Sequence, residues 1–157
     1  MPGFKESTAI LKIQVFPLCK VLHKGKSFIG SALGRQACDL GYKVMYKLTS
    51  RLFADLKEAK REGHYHKMLM KIVKADVLIL EDFGLSTFSN DNRLALLDIL
   101  EDRHGLKSTI FLSQLPVKSW HGLIGDSTIA DAIMDRIVYG SYRIELKGDS
   151  LRRKKDY

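Results

Sequence analysis

Apolar residues recur along this chain with two alternating periods. Between Ser27 and Leu40 the positions Ile29, Ala32, Leu33, Ala37 and Leu40 share one face of a helix, and Gly41 supplies its stop. Val44 to Leu48 follows as a short strand. Ser50 is placed to cap a helix running to about Glu62, and Gly63 separates it from a second helix over His64–Lys74. Asp76 to Asp82 is the clearest strand, because its unbroken centre Val77-Leu78-Ile79-Leu80 is what a strand covered on both faces requires. Ser89 or Asn90 opens a helix through about His104, with Gly105 as its stop, and Ser108–Ser113 is a strand centred on Ile110-Phe111-Leu112. Ser127 is placed to cap a helix to about Val138, after which Tyr142, Ile144 and Leu146 alternate as an edge strand.

Strands separated by helices predict an α/β fold with a parallel sheet and helical crossovers. Ligands in such folds sit at the carboxyl ends of the strands, so chemistry is expected just after residues 18, 82 and 113. The 157 residues suffice for about one domain, and neither an internal repeat nor a linker tract divides them. Lys and Arg number 26 against 18 Asp and Glu, a net charge of +8, which favours polyanionic partners such as nucleic acid or nucleotide phosphates. Cys19 and Cys38 form neither a metal pattern nor a disulfide framework, which suits a reducing cytoplasm. Val77–Leu80 is the longest aliphatic run and falls far short of a membrane span, so no membrane association is expected. Lys12, Gln14 and Pro17 interrupt the apolar stretch near the start, against a signal peptide.

Three polar signals fall at the expected strand ends. Gly25-Lys26-Ser27 opens the first strong helix, where backbone N–H groups can hold phosphate oxygens, a lysine can reach the β/γ-phosphates and a hydroxyl can ligate Mg²⁺. The full pattern wants a glycine at position 20, which is Lys20, and the stretch Lys20–Lys24 contains none. Glu81-Asp82 ends the apolar strand. A carboxylate there can hold Mg²⁺ through water while its neighbour orients the attacking water, and the alternative is an acidic turn. Gln114, after Ser113, can contact a γ-phosphate and the attacking water, or can simply end a strand.

Together these residues resemble the IstB-like branch of the AAA+ ATPases, helpers of insertion-sequence transposases and relatives of the DnaC helicase loader. The resemblance is carried by GKSFIGSALGRQACDLGYKVMY (25–46), VLILEDFGL (77–85), RLALLDILEDRHGLKSTIFLSQLPVKSWHGLIGD (93–126) and ADAIMDRIVYGSYRIELKGDSLRRKK (130–155). It implies a P-loop NTPase fold of AAA+ type, binding and hydrolysis of ATP with Mg²⁺, homo-oligomerisation, and sequence-independent binding of duplex DNA for delivery to a transposase. Position by position, Gly25, Lys26 and Ser27 match the phosphate loop. Ser27, Glu81 and Asp82 match the metal-binding set, with Glu81 where the family usually has aspartate. Gln114 matches the sensor after the fourth strand, and Arg136 the finger that reaches a neighbouring subunit's ATP. Arg152 or Arg153 matches a second sensor. A snorkelling Arg136 paired with Asp131 or Asp135 is the alternative that the residues leave open. So do three other functions: a DnaC-like helicase loader, a remnant that binds DNA or a partner without turnover, and a small-molecule P-loop kinase.

Two helices rather than one separate the second and third strands. Residues 51–74 carry seven Lys and Arg against three Asp and Glu, a net +4. By resemblance to a DNA-lining insertion, Lys57, Lys60, Arg61, Lys67, Lys71 and Lys74 are candidate DNA contacts, and a solvated amphipathic face is the alternative. The expected organisation is a divergent N-terminal segment over 1–24, the ATPase domain over 25–148 and a basic tail over 149–157. A possible first strand lies at about 10–18, where Pro17 is out of place for a central strand. The N-terminus reads as degenerate, as if another reading frame were joined upstream of Gly25.

Overall fold

The computed structural model describes residues 15–19 and 25–145. In chain order the elements are β1 (Val15–Cys19), α1 (Lys26–Asp39), β2 (Val44–Leu48), α2 (Thr49–Arg61), α3 (Tyr65–Val73), β3 (Val77–Glu81), α4 (Asn90–Arg103) and β4 (Ser108–Ser113). A short 3₁₀ turn (Val117–Ser119), α5 (Trp120–Ile124), α6 (Ser127–Val138) and β5 (Ile144–Glu145) complete them. The sheet order is β2-β3-β4-β1-β5 and every pairing is parallel. The strands move one way across the sheet from β1 to β2 and return through β3 and β4. With right-handed crossovers this puts α1 on one face and the later helices on the other.

Side-chain alternation shows why β3 and β4 read as continuous apolar runs. Val77, Ile79, Ile110 and Leu112 join Ala37 of α1 in one cluster, while Leu78, Leu80 and Phe111 join the helices of the opposite face. Gly30 is what lets α1 lie close on the sheet. A Cβ there would stand 2.5 Å from Leu112 Cδ1, and Leu112 is itself buried. This close approach fixes the N-terminus of α1 against the ends of β3 and β4. On the other face Phe83 forms the centre of an aromatic cluster, with ring centroids 4.6 Å from Trp120 and 4.9 Å from Phe111.

Arg103 is buried at 1% exposure with its guanidinium fully used. Nε donates to Thr109 Oγ1 at 3.0 Å, and Nη1 to the carbonyls of Ile72, Val73 and Ala75 at 3.1, 3.1 and 2.7 Å. Nη2 donates to the Ser108 carbonyl. Burial pulls its pKa down to about 10, which leaves it protonated at neutral pH. One charged side chain thus satisfies carbonyls at the end of α3 and ties them to the start of β4.

Several expectations are corrected. Ser50 caps nothing: α2 begins at Thr49, and the Thr49 hydroxyl donates instead to the Glu81 carbonyl at 2.8 Å. Ser127 is the first residue of α6, and the cap is Asp126, whose carboxylate accepts from Ile129 N at 3.0 Å. Ser89, rather than Asn90, caps α4. Pro17 lies within β1, between two neighbouring strands. The β5 ladder begins only opposite Leu18, so at Pro17 only β4 is paired, the setting in which a proline is tolerated. Helix α5 was not legible as a separate element. The basic tail 149–157, with Arg152 and Arg153, and the stretch Lys20–Lys24 lie outside the described residues.

Candidate nucleotide site

The site is assembled at the carboxyl edge of β3 and β4, against the N-terminus of α1. Gly25 precedes the helix with φ 101°, a left-handed conformation that favours glycine, and its carbonyl accepts from Ile29 N at 2.8 Å. The first turn of α1 carries no acidic residue and no side-chain cap, so its positive end is not offset by a nearby carboxylate of its own. Lys26, the first helical residue, is buried at 7% exposure, and Ser27 is exposed. The Ser27 hydroxyl donates to Glu81 Oε1 across 54 positions of sequence. Glu81 is the last residue of β3, and Thr49 holds its carbonyl from the side of β2.

Asp82 follows with φ 55°, among the described residues the one non-glycine residue with positive φ. Hydrogen bonds to β4 hold this turn in place. Phe83 N donates to the Leu112 carbonyl at 3.0 Å. The fully buried Ser113 hydroxyl donates to the Phe83 carbonyl at 2.6 Å and accepts from Leu115 N at 3.1 Å. Gln114, the next residue along, places Nε2 3.4 Å from Asp82 Oδ1. Two side-chain contacts thus link Ser27 to Glu81 and Asp82 to Gln114 at adjacent residues of one strand end. A hydroxyl and two carboxylates form an all-oxygen donor set, the kind a hard divalent cation such as Mg²⁺ takes.

The sequence reading missed Thr49 and Tyr46 here. Tyr46 stands on the same face as Glu81, one step along the β2–β3 ladder, since it pairs with Ile79. Its phenol is pushed up to about 12, by burial first and then by the neighbouring Glu81. The alternation of β2 was a signal for the face Tyr46 occupies, but its position beside Glu81 depends on the β2–β3 register.

Arg136 lies elsewhere. Its Nη2 pairs with Glu101 Oε1 of α4 at 3.0 Å, and Nη1 donates to the Ala132 carbonyl at 2.8 Å. With Glu101, His104, Asp135 and Tyr139 it lines an open cavity of about 550 Å³. Its partner is therefore neither Asp131, which meets His121 at 2.9 Å, nor Asp135. The six candidate DNA residues divide into two groups. On α2, Lys60 pairs with Asp91 at 3.3 Å, Arg61 pairs with Glu58, and Lys57 and Lys60 line a cavity of about 390 Å³ that also holds Asp91 and Asp98. On or just beyond α3, Lys67, Lys71 and Lys74 are exposed and have no ion pair among the described residues.

A five-stranded parallel sheet in this order, with a lysine and a hydroxyl at the first helix and an acidic pair at the third strand, is the AAA+ P-loop ATPase fold. The solved structures that match agree. AMPPCP-bound DnaA from Aquifex aeolicus superimposes with a TM-score of 0.76 at 22% identity, over 95% of this chain and 45% of that one. The DnaC helicase loader superimposes with a TM-score of 0.73 at 22% identity, over 85% of this chain and 78% of that one. The profile of the IstB-like ATP binding protein family matches residues 20–157, so the chain belongs to that family. The match begins at residue 20, upstream of the limit at Gly25 drawn from the sequence. Among relatives, the protein of Sinorhizobium fredii described as insertion sequence ATP-binding protein y4pL is 46% identical over 136 residues, 87% of this chain and 56% of that protein. The chain spans about half the length of the curated relatives it matches. No helix among the described residues is long and apolar enough to cross a membrane.

Proposed function

We propose that this chain binds ATP with Mg²⁺ at the α1–β3–β4 site and hydrolyses it, as a cytoplasmic homo-oligomeric helper that brings duplex DNA to a transposase. One observation carries the nucleotide reading. The hydroxyl of Ser27, one residue after the buried Lys26, is bonded to Glu81 at the end of β3, with Asp82 and Gln114 in contact beside it. The N–H groups at the N-terminus of α1 bind phosphate oxygens, and Lys26 places its charge on the β/γ-phosphates. Ser27, Glu81 and Asp82 would hold Mg²⁺, which supplies charge neutralisation at the phosphates. Asp82 and Gln114 orient the attacking water. Such catalysis is mostly positioning and electrostatics, so the fixed Asp82 turn matters as much as the carboxylate itself. Arg136, outside this cluster, acts on the site of an adjacent subunit.

Titration with a fluorescent ATP analogue tests the reading. The expected result is micromolar, Mg²⁺-dependent binding that is lost in Lys26→Ala. Equal binding by wild type and Lys26→Ala, or none by either, overturns it. Phosphate release with and without duplex DNA then separates a turning-over ATPase from a binding module.

A further inference from the structure

Ser113 is the last residue of β4 and is fully buried, yet its hydroxyl is committed on both sides. As a donor it meets the Phe83 carbonyl at 2.6 Å, and as an acceptor it takes the Leu115 N–H at 3.1 Å. Phe83 directly follows Asp82, and Leu115 directly follows Gln114. One hydroxyl therefore joins the backbones just past the two side chains that meet at 3.4 Å. Trp120 secures the same junction. Its indole Nε1 donates to the Leu115 carbonyl at 3.1 Å, and its ring centroid stands 4.6 Å from that of Phe83. Asp82 and Gln114 themselves lie beyond the strands, since β3 ends at Glu81 and β4 at Ser113. Asp82 also holds φ 55°, a conformation that persists where its surroundings impose it. Packing alone does not call for a hydroxyl at the end of the apolar run Ile110-Phe111-Leu112, because burying one costs free energy that only its hydrogen bonds return.

We propose that Ser113 is a positioning residue for hydrolysis: its hydroxyl clamps the turn after β3 to the turn after β4 and so sets the spacing of Asp82 and Gln114 on one attacking water. Ser113 touches neither nucleotide nor water. It acts through the two residues it spaces, and turnover depends on that spacing more steeply than binding does, because phosphate affinity resides at α1 while the water is oriented at the ends of β3 and β4.

This role rests on the ATP reading above, and the experiment separates the two. Steady-state phosphate release with Mg²⁺ and the Kd of a fluorescent ATP analogue are measured on the full chain for wild type, Ser113→Ala, Gln114→Ala and the Ser113→Ala/Gln114→Ala double variant. Ser113→Ala is expected to lower kcat about 10–100-fold and to leave the analogue Kd within about twofold. The double variant is expected to turn over no more slowly than Gln114→Ala, because a clamp has nothing left to space once Gln114 is gone. Wild-type kcat in Ser113→Ala, a loss of affinity that matches the loss of kcat, or effects of the two substitutions that multiply overturn the proposal. Hydrogen exchange reads the clamp without nucleotide. The Leu115 amide is expected to exchange about tenfold faster in Ser113→Ala while the amides of the β3–β4 ladder keep their rates. Should wild type release no phosphate, the hydrolysis reading falls, and exchange alone judges the clamp: faster exchange confined to Leu115 upholds it, and an unchanged Leu115 rate or a uniform acceleration overturns it.

Discussion

Gln114 Nε2 stands 3.4 Å from Asp82 Oδ1, joining the residues that directly follow two neighbouring strands, β3 and β4. Asp82 holds φ 55°, a conformation that asparagine adopts as readily as aspartate. Asp82→Asn therefore removes the charge without straining the turn. It is expected to keep ATP affinity within a few-fold and to lose turnover by about 10²–10³-fold, and Gln114→Ala to lose turnover with Asp82 left in place. Steady-state phosphate release beside analogue binding checks both. Wild-type turnover in Asp82→Asn would remove this residue from the chemistry.

Arg136 is paired with Glu101, and both side chains keep contact with solvent, so losing the pair costs the fold about 1 kcal/mol or less. Any large effect of Arg136→Ala on turnover is then functional. A finger acting on a neighbour predicts roughly 10³-fold slower hydrolysis with ATP binding retained. It also predicts that mixing Arg136→Ala with Lys26→Ala restores activity, because a mixed assembly contains sites with an intact Lys26 facing an intact Arg136. Two inactive variants that stay inactive on mixing would place Arg136 outside the shared site.

Hydrophobic period gave the order of the elements but not the buried face of α1, which is Gly30, Gly34 and Ala37 while Ala32, Leu33 and Leu40 are exposed, and the reasons differ by element. The bounds of β2 and β4 matched the sequence expectation, because runs such as Ile110-Phe111-Leu112 leave no helical alternative. Caps were harder. Ser50 and Ser127 are good capping residues that fall inside their helices, second in α2 and first in α6, and Thr49 and Asp126 lie just before them with different tasks. Lys26, Ser27, Glu81 and Gln114 announced themselves because each sits at an element boundary. Tyr46 and Arg103 did not, because their value depends on strand register and on backbone carbonyls contributed by other elements. Ser113 was visible as the neighbour of Gln114, yet its link to the Phe83 carbonyl needs the β3–β4 pairing.

Arg103 makes a direct stability prediction. Replacing it with methionine keeps the volume of the stem but removes the donor from the carbonyls of Val73, Ala75 and Ser108, while the Ile72 carbonyl keeps the Ala75 N–H. A loss of about 3–5 kcal/mol is expected from urea unfolding. Lysine cannot restore the fork of donors and is expected to recover only part of the loss. A variant within 1 kcal/mol of wild type would mean that water satisfies these carbonyls.

Asp76 lies at the opposite end of the sheet, half-buried just before β3. Lys107 Nζ lies 2.5 Å from its carboxylate and Lys43 N donates to it at 2.9 Å. These contacts hold its pKa below the ordinary aspartate value, the Lys107 hydrogen bond contributing most. A folded pKa below the unfolded one means stability that is complete above about pH 4 and is lost as pH falls through the folded value. Asp76→Asn is expected to cost about 1 kcal/mol at neutral pH and to flatten the acid side of the stability profile. Urea midpoints between pH 2 and pH 7 check it, and parallel profiles for the two proteins would assign the acid limit to other carboxylates.

The division of the basic residues between α2 and α3 yields a last expectation. Lys60 and Arg61 already face Asp91 and Glu58, so their charges are partly neutralised before any polyanion arrives. Lys67, Lys71 and Lys74 follow a three- and four-residue spacing and are exposed, which makes them one cationic row with no ion pair among the described residues. Phosphate contact by that row adds about 0.9 to the slope of log affinity against log salt for each lysine engaged. Replacing all three by alanine is therefore expected to lower the slope for duplex DNA by about 2.7 and to weaken binding uniformly across sequences. Lys60→Ala is expected to change the slope far less. Salt titrations of fluorescently labelled duplex give both numbers. An unchanged slope in the triple variant, or a larger change for Lys60→Ala, would move the DNA-binding face away from α3.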